Sequence, residues 1–576
     1  MAIYRNILLL LSAFTIRTSM ADGDWGHNTF YTNDDRALQR RQHGPLGPVP
    51  KNSVVRSYNF TISREYKAPD GIEKHMMVVN NQFPGPLIEA EWGDVIEVHV
   101  HNALDDQGTA IHWHGLPQTE TPWYDGVPSV SQCPIAPGET FTYRFRAEVY
   151  GTTWWHAHYS AQYMDGVWGP LIIHGPKYAD YDIDMGPILL SDHVHLEYQD
   201  YILPIYNIPP EFPPVHNNLI NGKMPYNRSL GGGCMSEGVS RFRFETGKTH
   251  LLRLINTGGS ANQKFSIDNH ELIVIANDFV PIEPYTTDVV TLGTGQRSDV
   301  LVVANGDPTD AVWMRSDLDV TCIGGGVISH QPNATAAVYY PEADTGNLPN
   351  TEKSEWEYNG CINDPLSKTV PLFSKVPPQP DITMSVNITG GPNGTGHAIF
   401  YMNGSSLYAD YGTPSLFEAY NGRRNFSNNP EWNLVNTGAA SSIRLVVYTD
   451  FQLQHSMHLH GVHDFWVLAE GFGTWNGTIT NPTNPQRRDV QLMYMGTPEQ
   501  PSYMVIQWDA TNPGVWPFHC HLVLHSSTGL FMSFLQQPDK INNEQLPTII
   551  DETCTAWRHF ANNNHVDQPD SGQRNA

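Results

Sequence analysis

Histidines that alternate with one other residue are the chemically most informative feature of this chain. It has 26 histidines among 576 residues and six His-x-His pairs, where random placement would give about one. On a β-strand, residues i and i+2 point to the same face and lie about 7 Å apart. Such a pair can serve one metal site while the residue between its members faces the other way.

The six pairs do not have equal weight. His99 with His101 and His193 with His195 lie on ordinary strand sequences and lack a matching partner. We interpret these four histidines as non-ligands. The other pairs form two doublets, one early and one late in the chain: His112-Trp113-His114, His156-Ala157-His158, His458-Leu459-His460 and His519-Cys520-His521.

Strand alternation separates two kinds of site in the late doublet. If the segment is extended, Cys520 faces away from the histidines on either side of it, and His455 faces away from the pair that begins at His458. Cys520, His455 and His525 can then form one site, and the eight paired histidines another.

The donor types indicate copper at both sites. One thiolate with two imidazoles is typical of a copper electron-transfer centre, whereas eight imidazoles without a thiolate suit a copper cluster that binds dioxygen. The two sites share the segment 519–521, so an electron that arrives at Cys520 crosses one peptide link to reach the cluster.

Three other kinds of protein fit this pattern less well. A structural zinc site uses four ligands in one compact spacing, which ten histidines and a cysteine far exceed. A copper-binding or oxygen-carrying protein without turnover has no need of the Cys520 electron inlet. A structural glycoprotein would not retain every block in register. Oxygen consumption with a phenol donor distinguishes an oxidase from the carrier.

Short β-rich runs must position these blocks. Segments such as 94–100, 249–255 and 442–447 are separated by turns rich in the 48 glycines and 43 prolines, and long helical periodicity is scarce. This pattern predicts an all-β sandwich or barrel architecture. A similar strand sequence recurs near residues 98–102, 252–256 and 444–447, which indicates three related domains.

The four ordered blocks resemble those of the multicopper oxidases, in particular the laccases of ascomycete fungi, from about residue 55 to the C-terminus. The flanking segments 81–86, 123–128 and 293–297 resemble the family as well. The resemblance implies three consecutive cupredoxin-like domains of the Greek-key β-barrel or sandwich kind. It also implies four copper ions, one of type 1, one of type 2 and two of type 3.

Carried over position by position, the resemblance implies a ligand set for each copper. Type 1 copper would be held by His455, Cys520 and His525, and type 2 copper by His112 and His458. The type 3 pair would be held by two trios: His114, His156 and His521 on one copper, and His158, His460 and His519 on the other.

Three further positions bear on reactivity. Asp125 resembles the family's acid that assists protons towards bound oxygen, and we expect it and Cys520 to be the catalytic residues. Leu530 occupies the axial position of the type 1 site and cannot coordinate, which raises the potential of that site. Ser260 stands in the substrate pocket where many fungal laccases carry a carboxylate, so proton acceptance from a phenol should be weaker.

The expected domain boundaries follow from the Gly/Pro-containing and loop-rich segments of the chain. Residues 1–21 read as a signal peptide, with an apolar run after Arg5 and small residues at the cleavage site, and 22–54 as an N-terminal extension. Domain 1 covers 55–176, domain 2 covers 177–345, a linker covers 346–378, and domain 3 covers 379–545. The tail 546–576 ends in a sequence similar to an ascomycete laccase processing site, with Gln573 in place of the aliphatic residue.

Charge and cysteine content constrain partners and compartment. The net charge of −26 argues against nucleic acid and anionic membranes as partners, and we expect a secreted monomer. The resemblance implies disulfides Cys133–Cys554 and Cys322–Cys361, with Cys234 left over. Eight N-glycosylation sequons support secretion: Asn59, Asn227, Asn333, Asn387, Asn393, Asn403, Asn425 and Asn476.

The expected function is one-electron oxidation of phenolic or aromatic donors coupled to reduction of dioxygen to water. The main alternative is a laccase-like oxidase dedicated to a pigment or secondary-metabolite precursor, or to bilirubin, ascorbate or Fe(II). Ser260 motivates this alternative.

Overall fold

The computed structural model describes residues 49–230, 238–322, 329–358, 360–542 and 545–564. The expected signal peptide, Cys234 and Gln573 lie outside the described residues. The first unit consists of two four-stranded sheets in the orders β2-β1-β4-β6 and β3-β8-β7-β5. Its strands are β1 (Val55–Lys67), β2 (Lys74–Val79), β3 (Ile88–Glu91), β4 (Val95–Asn102), β5 (Ile111–Trp113), β6 (Thr140–Arg146), β7 (Gly151–Ala157) and β8 (Trp168–His174).

The second unit pairs a six-stranded sheet, β10-β9-β12-β17-β14-β15, with a five-stranded sheet, β11-β19-β18-β13-β16. Its strands are β9 (Ile183–His193), β10 (Asn217–Ile220), β11 (Arg241–Arg243), β12 (Thr249–Asn256), β13 (Gln263–Ile267), β14 (Leu272–Asn277), β15 (Val280–Thr287), β16 (Val290–Leu292), β17 (Arg297–Val303), β18 (Ala311–Leu318) and β19 (Asn333–Tyr339).

The third unit has the same plan, with sheets β21-β20-β23-β28-β25-β26 and β22-β30-β29-β24-β27. Its strands are β20 (Ile382–Pro392), β21 (Ala398–Met402), β22 (Leu434–Asn436), β23 (Ser442–Thr449), β24 (His455–Leu459), β25 (Phe465–Phe472), β26 (Gln486–Arg488), β27 (Val490–Met493), β28 (Ser502–Asp509), β29 (Gly514–Cys520) and β30 (Phe531–Gln536).

Four of the five described α-helices have four to six residues, and one has 16. Within the described ranges, none is both long and apolar enough to cross a membrane. The α-helices are α1 (Tyr198–Ile202), α2 (Ser415–Tyr420), α3 (Val523–Ser527), α4 (Pro538–Ile541) and α5 (Thr548–Asn563), and 3₁₀ turns cover Pro122–Tyr124, Gln162–Asp165, Leu203–Tyr206, Arg228–Leu230 and Pro430–Trp432.

The three units repeat one strand arrangement. In each, the first strand pairs in parallel with a later one, as β1 with β4, β9 with β12 and β20 with β23. That later strand then pairs antiparallel with β6, β17 or β28. The strand sequence that recurs along the chain corresponds to β4, β12 and β23. The prediction of three related cupredoxin-like domains is therefore confirmed.

Alternation decides which face of a strand is buried. In β4, Ile96, Val98 and Val100 are fully buried, while His99 and His101 on the other face hydrogen bond to the hydroxyls of Thr142 and Thr140 at 2.9 and 3.1 Å. By contrast, every residue of β7 and β29 is buried. These two strands carry histidines of the early and late doublets.

The domain 1 core continues into domain 3. One cluster of buried apolar side chains includes Trp113 and Trp155 of domain 1 together with Val515 and Phe531 of domain 3. Burial of a side chain of this size contributes about 1.5–3 kcal/mol. The two histidine-bearing sheets are therefore held against each other by a shared core.

Two disulfides have the predicted connectivity, Cys133–Cys554 and Cys322–Cys361. The first joins domain 1 to α5, near the end of the described chain. Around it, Tyr159 and Trp557 pack in a separate apolar cluster. The C-terminal helix is thus fixed to domain 1 by a covalent bond and by packing.

Candidate metal centre

The four histidine pairs lie at the ends of two pairs of neighbouring strands. In domain 1, β5 and β7 are antiparallel and place His112 opposite His156. In domain 3, β24 and β29 place His458 opposite His519. The second histidine of each pair directly follows the end of its strand, so all eight imidazoles lie where domains 1 and 3 meet.

These eight side chains, called here the cluster, face one another across the domain boundary. The ring centroids of His112 and His460 are 4.0 Å apart, and those of His114 and His458 are also 4.0 Å apart. The structure brings together every member that the sequence predicted. Ring nitrogens lie within 4.8 Å of one another in several trios, among them His112 with His458 and His460, and His158 with His460 and His519.

The hydrogen bonds of the cluster leave one nitrogen of several rings without a partner. The Nδ1 atoms of His112, His156 and His458 each bond to a backbone carbonyl at 2.8–2.9 Å. Their Nε2 atoms are buried and have no hydrogen-bond partner. A buried polar atom without a partner costs about 1–3 kcal/mol, and metal ions bound within the cluster would satisfy all three.

Burial also sets the protonation state of the cluster. It lowers the pKa of six of these imidazoles well below the usual value, and neighbouring histidines lower it further. Neutral imidazole is the form that binds a metal, so the residues fit copper. The six are His114, His156, His158, His458, His460 and His521.

Asp125 holds rings from both domains. It is fully buried, its carbonyl accepts a hydrogen bond from His112, and its Oδ2 accepts one from His460 Nδ1 at 2.9 Å. Gly126 next to it has φ +81°, and a Cβ there would overlap the carbonyl oxygen of Ile111. Only glycine fits this turn, which explains why the aspartate is followed by glycine.

Asp489 has a similar position, which the sequence interpretation missed. Its carbonyl accepts from His458 Nδ1 at 2.8 Å and its Oδ1 lies 3.3 Å from His114 Nε2. Arg297 binds both carboxylate oxygens at 2.6 and 2.7 Å. Burial raises the pKa of Asp489 to about 7, while Arg297 acts in the opposite direction. The available signal was Arg297 itself, which belongs to the family-like segment 293–297 and needs an acidic partner.

Domain 2 supports the cluster through this same segment. Gly295 has φ +85°, and a Cβ there would lie 2.9 Å from His521 Cδ2 and 3.1 Å from His114 Cε1. The backbone therefore approaches the imidazoles more closely than a side chain allows. Together with Arg297, it backs the cluster from the domain 2 side.

Cys520, His455 and His525, called here the trio, form a second buried site. His455 Nδ1 lies 3.2 Å from His525 Nδ1, and Cys520 Sγ lies 3.5 Å from His525 Nδ1. Among the described cysteines, only Cys520 is free, and burial raises the pKa of its thiol to about 12. A thiol with two imidazole nitrogens is a donor set for copper, whose binding would displace the thiol proton.

Leu530 lies beside the trio. It is fully buried, and its carbonyl accepts a hydrogen bond from the Cys520 backbone N–H at 3.1 Å. An aliphatic side chain offers no donor atom to a metal.

An apolar cavity of about 240 Å³ adjoins the trio. Phe400 lines this cavity, and its ring centroid lies 4.9 Å from that of His525. Ile205, Phe212 and Leu453 are also in the wall. Ser260 does not belong to the described wall.

Ser260 is instead bonded to its neighbours. It is buried, its hydroxyl lies 2.9 Å from the hydroxyl of Tyr201, and its backbone N–H donates to Asp192 Oδ2 at 2.7 Å. The backbone N–H groups of Gly259 and Ala261 bind the same carboxylate.

Comparisons with known proteins agree with this geometry. Family profiles described as multicopper oxidase match residues 61–178, 185–343 and 403–540. The oxidoreductase OpS5 of Beauveria bassiana is 39% identical over 89% of this chain and 86% of its own length. Laccase-2 of Botryotinia fuckeliana is 37% identical over 91% of this chain and 89% of its own length.

Two further comparisons are with a relative named as an oxidase and with a solved crystal structure. Dihydrogeodin oxidase of Aspergillus terreus is 34% identical over 91% of each chain. The crystal structure of the laccase from Botrytis aclada superposes with a TM-score of 0.83, at 33% identity over 96% of this chain and 99% of that chain.

Three cupredoxin-like domains with imidazole and thiol donors buried at these positions define a copper-dependent oxidoreductase. The chain belongs to the multicopper oxidase family and is of the laccase type.

Proposed function

We propose that this protein is a secreted oxidase that removes single electrons from phenolic or other aromatic donors and reduces dioxygen to water. The observation that carries the proposal is the position of Cys520. Its side chain belongs to the trio, while His519 and His521 on either side of it belong to the cluster. One short segment therefore connects a donor-side site to an oxygen-side site.

We assign four copper ions to these residues. His455, Cys520 and His525 would hold type 1 copper, and His112 and His458 type 2 copper. Copper supplies the one-electron redox chemistry and the binding of dioxygen. The type 3 pair would be held by His114, His156 and His521 on one side and by His158, His460 and His519 on the other.

The protein residues prepare these sites in two ways. Hydrogen bonds from ring nitrogens to Asp125, Asp489 and backbone carbonyls fix which nitrogen of each imidazole faces the centre of the cluster. Asp125, 2.9 Å from His460 Nδ1, is placed to hold a proton beside the cluster. Apolar burial around both sites excludes bulk water.

The apolar cavity beside the trio, called here the donor cavity, favours neutral aromatic donors. Its wall is almost wholly aliphatic and aromatic, and the wall residues that the structure describes include no carboxylate. Such a wall suits the flat apolar body of a phenol and offers nothing to bind Fe(II). Deprotonation of the phenol then depends on solvent, which slows donors with a high phenol pKa.

A specialised donor is the second candidate. The name of dihydrogeodin oxidase assigns that relative a defined metabolite, and the aliphatic wall fits a pigment or secondary-metabolite precursor of several rings. Bilirubin and ascorbate belong in the same comparison.

Oxygen uptake with a donor panel tests both candidates. We expect simple phenols to support uptake by the copper-loaded enzyme and not by a copper-depleted sample. A polycyclic phenolic precursor with a kcat/KM at least tenfold above every simple phenol would favour the second candidate. Fe(II) as the best donor, or phenol oxidation without copper, would contradict the proposal.

Secretion is supported by the surface positions of the sequons. Seven of the eight asparagines are exposed, and Asn393 is half-buried. We propose a glycosylated, secreted monomer that lacks residues 1–21. Sequencing the N-terminus of the natural protein, a mass shift on deglycosylation and light scattering test these three statements separately.

A further inference from the structure

A second group of potential metal ligands comes from domains 1 and 2 and shares no residue with the cluster or the trio. Asp70 is in the turn between β1 and β2, His193 ends β9, and His195 follows it. One ligand atom from each lies within 4.8 Å of the others. The sequence interpretation took His193 and His195 as non-ligands because they lie on an ordinary strand sequence and lack a matching partner, but the fold brings Asp70 to them.

The hydrogen bonds of this group leave one nitrogen unexplained. His195 Nε2 lies 2.8 Å from Asp70 Oδ2, and Asn217 donates to the same oxygen at 3.1 Å. His193 is only 3% exposed, and its Nε2 is buried without a hydrogen-bond partner. An aspartate–histidine pair accounts for Asp70 and His195 but gives no reason to bury an unpartnered nitrogen of a second histidine beside them.

We propose that Asp70, His193 and His195 bind one divalent zinc ion, independently of the copper centre. Two imidazoles and a carboxylate form a common donor set for zinc, with bonds of about 2.0–2.2 Å and donors about 3.3 Å apart in a tetrahedron. The His195–Asp70 distance of 2.8 Å needs to open by about half an ångström. Water takes the fourth position.

The surroundings suit a bound cation. Asn217 and the backbone N–H of Ile72 hold the carboxylate of Asp70, as hydrogen-bond partners commonly do for a ligating carboxylate. Lys74 is the cation nearby, and its charge is neutralised by Asp165 at 2.5 Å.

A row of neighbouring imidazoles extends from this group to the surface. The ring centroid of His195 lies 4.4 Å from that of His216, which lies 5.2 Å from that of His330. His216 is half-buried and His330 is exposed. The imidazoles of His195 and His216 thus lie between His193 and the exposed His330.

We expect the bound zinc ion to link domains 1 and 2. Asp70 belongs to domain 1, whereas His193 and His195 belong to domain 2. An ion that binds only the folded arrangement stabilises it by RT ln(1 + [Zn²⁺]/Kd), which rises with the free zinc concentration. Zinc should therefore raise the unfolding temperature of the copper-loaded enzyme.

Zinc uptake by the copper-loaded enzyme tests the proposal. After dialysis against Zn²⁺ and removal of free metal, we expect one zinc per chain in the wild type and none in His193→Gln or Asp70→Asn, with copper content unchanged. His99→Gln changes a histidine of the other isolated pair and should retain the zinc. Absence of zinc from the wild type, or equal uptake by His193→Gln, would overturn the proposal.

Diffraction at the zinc absorption edge provides a test that needs no variant. A crystal of the zinc-treated enzyme should give an anomalous peak at bonding distance from His193 Nε2, about 2.0–2.1 Å. A peak elsewhere only, or no peak, would contradict the site. Zinc should also fail to raise the unfolding temperature of His193→Gln.

Discussion

At the scale of single residues, two buried carboxylates organise the copper ligands. Asp125 bonds to imidazoles of both domains, and Asp489 connects two more to Arg297 of domain 2. Each hydrogen bond selects the nitrogen that stays available to a metal. Residues of this kind commonly affect metal affinity or activity about 10- to 100-fold.

The substitution Asp125→Asn should lower turnover with phenols about 10- to 100-fold. Asparagine retains an acceptor for His460 but loses the negative charge and the capacity to hold a proton. The visible absorption of the trio should not change, because Asp125 does not contact the trio. Copper content should not change either, because asparagine retains the acceptors for His112 and His460. Asp450→Asn, at an exposed position, is the matched control. Wild-type turnover in Asp125→Asn would contradict the role.

The substitution Leu530→Met should lower the reduction potential of the type 1 site. A thioether beside Cys520 adds an axial donor that stabilises oxidised copper, and the similar volume costs less than about 1.5 kcal/mol of stability. A redox titration that follows the visible band measures the shift. Leu535→Met, another fully buried leucine, should leave the potential unchanged. Equal potentials in wild type and Leu530→Met would show that position 530 does not face the copper.

The histidines could be predicted from sequence because each pair encodes its own geometry through the two-residue repeat of a strand. Asp489 and Asp70 could not, because their roles depend on contacts with Arg297 and His195, which are 192 and 125 residues away in sequence. Without the fold, a buried aspartate looks like any other acidic residue.

At the scale of elements, strand pairing places the ligands. β24 and β29 are neighbours in one sheet, so the late doublet is assembled by ordinary antiparallel pairing. The sequence interpretation assumed that these two segments are extended, and it predicted strands from apolar runs and turns elsewhere, as at 442–447. It could not predict which strands of different domains meet, since that depends on the packing of whole sheets.

A half-buried glutamate on β25 makes the stability of domain 3 depend on pH. Burial raises the pKa of Glu470 from 4.5 to about 7, and its Oε2 accepts a hydrogen bond from Gln491 at 3.0 Å. The folded state holds the proton more tightly than the unfolded state. Its contribution to stability is therefore complete below pH 4.5 and is lost as the pH rises through about 7.

The substitution Glu470→Gln should remove that part of the pH dependence. We expect the unfolding temperature of the variant to fall less than that of the wild type between pH 4.5 and 7. Thermal unfolding followed by circular dichroism at several pH values measures this. Glu499→Gln, at an exposed position, should behave as the wild type. Parallel curves for wild type and Glu470→Gln would contradict the assignment.

At the scale of the whole molecule, domains 1 and 3 share a core and enclose the cluster between them. The disulfide Cys133–Cys554 reinforces this arrangement, because it spans 421 residues, whereas Cys322–Cys361 spans 39. In the chain-entropy description, a cross-link that closes a longer loop restricts the unfolded chain more.

Replacement of Cys133 and Cys554 by alanine should lower stability by about 2–4 kcal/mol. The same replacement at Cys322 and Cys361 is the matched comparison and should cost less. Scanning calorimetry of both double variants measures the difference. A larger loss from the shorter loop would show that packing around the disulfides, and not loop closure, decides their effect.

The most direct test of the central claim is the visible spectrum and copper content of Cys520→Ser beside the wild type. The claim is that two copper sites share the end of β29, with the Cys520 thiolate in one and His519 and His521 in the other. We expect four coppers and an intense thiolate-to-copper band in the wild type, and three coppers without the band in Cys520→Ser. Persistence of the band, or loss of all copper from Cys520→Ser, would contradict the account.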